Sequence, residues 1–188
     1  MNKAVMLSIQ PEWCALIASK QKTVELRKTR PKIEPPFRCY IYETKKKVEL
    51  LQTPRWIHHG CIELQGRGRV IGEFVCDEIE YLDCYGTRGL GFWKDNQFLT
   101  LKENMTHWKT GMSEGKAILY FNYKRGYAWH ISDLALYAKP MPIDDFYYPL
   151  PEECAECNGN CIDCPFDCDP KQIKRPPQSW CYVKEVNE

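Results

Sequence analysis

Two stretches of the chain concentrate the side chains that do chemistry. Between Lys20 and Lys32, in "KQKTVELRKTRPK", six cations (Lys20, Lys22, Arg27, Lys28, Arg30 and Lys32) face one carboxylate, Glu25. Between Met141 and Pro170 there is no Lys or Arg. That stretch holds eight acids and five cysteines: Cys154, Cys157, Cys161, Cys164 and Cys168. The first stretch offers a guanidinium fork for phosphate or a purine edge at Arg27. Lys22 and Lys28 add point charges, and Glu25 can accept from an exocyclic amine. The second offers thiolates in two Cys-x2-Cys pairs, and two such turns complete a tetrahedral sulfur shell around one ion.

Elements must position these groups. From Thr23 to Arg27 polar and apolar residues alternate, so Val24 and Leu26 point one way while Thr23, Glu25 and Arg27 point the other. Such a strand is either a solvated edge or a ligand wall. "AVMLSI" (4–9) reads as a buried strand, and Pro11 suits the first turn of a helix, with Trp13, Leu16 and Ile17 on one face. That helix should end near Lys20. "FRCYIYE" (37–43), "GRVIGEFVCDEIEYL" (68–82, bent at Gly72), "KAILYFNY" (116–123), "YAWHISDLALYA" (127–138) and "SWCYVKEV" (179–186) read as strands, with a hairpin turn at "KRG" (124–126). "FLTLKENMTHW" (98–108) reads as a second helix, capped by Thr100 with Glu103 three residues on. Residues 44–65 read as a loop. Short strands with one or two helices imply an α+β domain built on a mixed β-barrel.

Composition sets the frame. With 188 residues, 44% of them hydrophobic, the chain suffices for one domain, here read as 1–188 with a Cys-rich insertion at about 150–170. The net charge of +1 gives no global sign of a polyanionic partner, so any such field is local. No apolar run approaches the ~18 residues of a membrane span, and the early run from Ala4 to Ile9 is too short for a signal peptide. A cytoplasmic protein is expected, and in a reducing compartment clustered cysteines point to metal before disulfides. The insertion has almost no aliphatic residues, so a structural Zn2+ would supply its folding free energy. Iron–sulfur ligation and a metal-free acidic loop are the alternatives, and which four of the five cysteines bind is open. Cys14, Cys39, Cys61, Cys76 and Cys84 are scattered and read as core.

"LSIQPEWCALIASKQKTVELRK" resembles the opening of ASCH domains, relatives of the PUA barrel that bind RNA or modified nucleobases. "GRVIGEFVCDEI" resembles a later strand of that family. "YAWHISDLALYAKP" and "RPPQSWCYV" resemble the closing strands of a subgroup common in phages and mobile elements. The resemblance implies a PUA-like fold with the lysine strand on a cleft wall, lined by Lys22, Thr23, Glu25, Arg27 and Lys28. Trp129 and His130 on a later strand would offer a stacking face, unless Trp129 is core. One ASCH member is an amidohydrolase of 4-acetylcytidine. Its lysine matches Lys22, but Glu25 stands where its threonine nucleophile would be; its glutamate would match Glu73 or Glu78. The expected function is therefore RNA or nucleotide binding. A hydrolase of a modified nucleoside, a nuclease using the same cleft, and a protein–protein adaptor of a mobile element are the rivals.

Overall fold

The computed structural model describes residues 3–50, 62–84, 89–94, 97–100, 109–150 and 171–186. Strand β1 (Lys3–Ile9) is apolar and buried from Ala4 to Leu7 because both its faces are covered there. It pairs in parallel with β3 (Phe37–Glu43) and antiparallel with the last strand, β12 (Trp180–Lys184). β6 (Arg69–Cys76) and β11 (Ser132–Met141) complete a five-stranded sheet of order β11-β6-β3-β1-β12. The second sheet, of order β2-β10-β7-β8-β9, joins β2 (Val24–Arg27), β10 (Gly126–His130), β7 (Ile79–Cys84), β8 (Leu90–Lys94) and β9 (Gln97–Thr100). β4 (Lys47–Leu50) and β5 (Ile62–Gln65) form a separate ribbon inside the stretch expected to be loop.

The expected barrel is thus replaced by two open sheets. Closure would need one continuous ladder, but the chain turns a corner instead at two places. The run expected as one strand from Gly68 to Leu82 breaks between Cys76 and Ile79, leaving β6 in the first sheet and β7 in the second. Likewise Ile131 separates β10 from β11, its N–H donating to the Thr23 carbonyl at 2.9 Å. Gly72 does mark a close approach: a Cβ there would lie 2.4 Å from the Ala135 carbonyl oxygen.

Val5, Leu7, Ile9, Ile17, Phe74 and Trp129 belong to the central core, and Ala4, Met6, Tyr40, Phe146 and Val183 fill the other side of the first sheet. Helix α1 (Pro11–Ala18) begins at Pro11 and stops near Lys20 as expected, but its buried stripe is Pro11, Cys14 and Ile17. Trp13 and Leu16 flank it, half-buried.

Two elements differ from expectation in kind. Most of "KAILYFNY" (116–123) lies in helix α2 (Glu114–Phe121), not in a strand. Ala117 and Phe121, four apart, share its buried face, and Asn122 ends it in the left-handed conformation (φ 53°). Gly126 then starts β10 with the Phe121 ring against its backbone, so "KRG" leads out of a helix rather than round a hairpin. Phe98–Thr100, expected in a helix, is part of β9 paired with β8; the remainder of that expected helix lies outside the described residues. No described helix is long and apolar enough to cross a membrane.

Candidate functional site

β2 is an edge strand, yet it is not solvated. All four of its residues are buried, as is Lys22 just before it. Alternation sends Val24 and Leu26 into a cluster with Ala117 and Phe121 of α2. Glu25 and Arg27 face a cleft of about 660 Å3 between α1, α2 and the segment before β12.

On the cleft floor the charges are spent on one another. Lys22 Nζ donates to the carbonyls of Val24 (2.7 Å) and Thr110 (2.6 Å) and pairs with Glu25 Oε2 at 3.1 Å, which uses its three protons. Arg27 Nη2 pairs with Glu25 Oε1 at 3.0 Å and donates to the Ser8 carbonyl at 2.9 Å. Arg27 Nη1 donates to the carbonyl and hydroxyl oxygens of Ser179 at 3.0 and 3.2 Å. Burial alone would raise the Glu25 pKa, but attraction from Lys22 and Arg27 outweighs it and holds the carboxyl below its ordinary value. Lys22 is 3% exposed, so the free point charge read from the sequence is instead a buried strut. Glu25 is likewise engaged through both oxygens, and Arg27 through Nη1 and Nη2, while the buried Arg27 Nε has no hydrogen-bond partner among the described residues.

The upper walls are freer. Lys28 is exposed, with Nζ 5.1 Å over the Tyr120 ring, while Lys22 Nζ sits 5.6 Å from the Trp13 ring. Glu12 also lines the cleft. Its Oε2 is buried without a hydrogen-bond partner among the described residues, while Oε1 lies 4.0 Å from Lys46 Nζ. Glu12, Tyr120 and Ser179 were not singled out from the sequence. Glu12 looked like an ordinary acid in a first helical turn, and Tyr120 lay in a segment read as strand.

The other expected site residues fall elsewhere. Thr23 lines a different cavity with Ile17, Asp133 and Leu134. Trp129 stands opposite Glu25 in register but is fully buried, edge-on to Phe37 at 5.8 Å, so it takes the core alternative. His130 stands opposite Val24, with Nε2 2.8 Å from Glu80 Oε2, and that hydrogen bond raises its pKa. Glu73 lies on the first sheet, bound by Arg38 and by the Tyr137 hydroxyl at 2.6 Å, and Glu78 is exposed at a corner. Neither lines the cleft. Cys14, Cys39 and Cys76 are buried and Cys84 is half-buried, while Cys61 and the Cys154–Cys168 cluster lie outside the described residues. Among the described residues no three His, Cys, Asp or Glu side chains are placed to hold a metal ion.

No family model matches the sequence, and no curated protein is similar to it. Solved structures are. The ASCH protein of Zymomonas mobilis matches with a TM-score of 0.52 at 19% identity, over 97% of this chain and 88% of that one. Two single-residue variants of the same protein match with TM-scores of 0.52 and 0.53, covering 98% and 97% of this chain. The fold is of the ASCH type. Identities of 19–20% carry the likeness no further than the fold. In this ASCH-type fold, two largely antiparallel sheets and the helices α1 and α2 frame the cleft described above.

Proposed function

We propose that this cleft binds single-stranded RNA, or a nucleotide of it, in the cytoplasm. The observation that carries the reading is the division of labour between floor and walls. Lys22, Glu25 and Arg27 form a buried, mutually paired floor with two cations to one carboxylate. Above them stand the rings of Trp13 and Tyr120, the exposed ammonium of Lys28 and the unpartnered Glu12 oxygen. Aromatic faces stack unpaired bases, a flexible lysine meets phosphate, and a lone carboxylate oxygen accepts from the exocyclic amine of adenine or cytosine. Binding is favoured over acid–base chemistry because Glu25, with its lowered pKa and both oxygens engaged, is a poor proton carrier near neutral pH.

Fluorescence anisotropy with labelled single-stranded RNA tests this. Lys28→Ala should weaken binding and flatten the salt dependence by roughly 0.7 per lost phosphate contact, with an unchanged melting temperature. Glu12→Gln should shift preference among homopolymers more than it changes mean affinity. Undetectable binding by the wild type, or identical curves for Lys28→Ala and Glu12→Gln, would remove the reading.

Two further features belong to the proposal. The spacing of Cys154, Cys157, Cys161, Cys164 and Cys168 supports a structural Zn2+, and elemental analysis should find about one zinc per chain. Protein with neither zinc nor iron and with five reactive thiols would refute it. The motifs at residues 127–140 and 175–183 support a place among ASCH proteins of phages and mobile elements.

A further inference from the structure

Beside the cleft the chain builds a second concavity of about 490 Å3, which the sequence did not single out. Lys45, Arg67, Arg69 and Lys174 line it, and Asp144 is the one acid among the lining residues. Arg67 lies 3.9 Å from Glu43, with most of its side chain in solvent, while Lys45, Arg69 and Lys174 have no ion pair among the described residues. Local backbone shapes this grouping. Gly68 sits at φ +66°, a left-handed conformation that favours glycine, and the Lys45 side chain packs against it.

Groove and cleft are neighbours through short links. Thr44, on the groove wall, donates its N–H to the carbonyl of Ile9, on the cleft wall, at 2.9 Å. Pro176 lines the groove and Gln178 lines the cleft, two positions apart on one segment. Lys46 bridges the same boundary, with Nζ 2.6 Å from Gln10 Oε1. We propose that the groove carries the phosphodiester backbone of the strand whose base occupies the cleft. The inference rests on the cleft reading and deepens it: the ligand is an extended strand, not a lone nucleotide. Four cations against one lining acid fit a polyanion track, and their exposure leaves them accessible to phosphate.

The test uses the full chain, a labelled mononucleotide and a labelled oligoribonucleotide of about 12 nucleotides, within the span of one single-strand-binding domain. The double charge reversal Arg69→Glu/Lys174→Glu is compared with a control pair, Lys124→Glu/Arg125→Glu, at exposed positions just beyond α2 that line neither the groove nor the cleft. Loss of two phosphate contacts should reduce the salt slope for the oligomer by roughly 1.4, leaving mononucleotide affinity unchanged. The control pair should keep the wild-type slope. If the oligomer slope matches wild type while both ligands still bind, the groove inference is overturned and the cleft reading stands. If the control reverses the slope equally, the effect is bulk charge and the groove inference is again overturned. Wild-type protein that binds neither ligand overturns both.

Discussion

Two carboxylate–cation clusters in this protein use similar residues in opposite surroundings. On the cleft floor Glu25 is held by Lys22 and Arg27, with side chains of the three between 2% and 8% exposed. On the first sheet Glu73 and Glu185 are held by Arg38, whose side chain is 35% exposed, and the Tyr137 hydroxyl adds a donor to Glu73. Water screens the second cluster, so each of its pairs contributes little. In the first, desolvation of three charges is offset only while all remain paired and hydrogen-bonded. A buried charged cluster therefore fixes geometry, whereas a wet one decorates a sheet. Breaking the cleft floor is therefore costlier than breaking the wet cluster.

The comparison can be broken at its strongest point first. Glu25→Gln leaves two buried cations without a counter-charge and should cost about 3–5 kcal/mol, read as a lowered denaturant midpoint. The same substitution should flatten the acid limb of stability. The folded carboxyl titrates below its ordinary 4.5, so its contribution is complete above that value and is lost as pH falls through the depressed folded pKa. Lys22→Ala comes next. It leaves the Val24 and Thr110 carbonyls without their donor and Glu25 with one cation, a loss of about 1–3 kcal/mol. A sequence-level reading of Lys22 as solvated expects no change in melting temperature, so this variant separates the two pictures.

Arg38→Ala should cost no more than about 1 kcal/mol, in keeping with half-exposed pairs. Smallest is the effect at His130. Glu80 raises its pKa, so its stabilisation is complete below its ordinary 6.5 and fades as pH rises through the folded pKa. Thermal melts of His130→Gln across that interval should lack the slope seen in wild type.

These same residues show what the sequence could and could not convey. Phe37–Glu43 was legible because a run of aromatic and aliphatic residues, buried almost throughout, has no helical competitor. "KAILYFNY" satisfies both periods. Its fate is decided by the Ala117–Phe121 spacing against β8 and the left-handed Asn122, which are properties of packing. The alternation of β2 was legible. Its burial was not, because one acceptor that locks Lys22 is the Thr110 carbonyl, 88 positions away. Glu12 shows the same limit: a glutamate in a first helical turn is ordinary, and only the folded chain strands one of its oxygens.

The most direct test of the central claim is an NMR titration of labelled protein with single-stranded RNA, following the Trp13 indole, the Lys28 amide and the Tyr120 ring alongside the Arg38–Glu73 cluster. The account predicts saturable shifts at Trp13, Lys28 and Tyr120 and none at Arg38 or Glu73. Saturable RNA binding with shifts confined to the first sheet, or no shift anywhere at high RNA concentration, would contradict it.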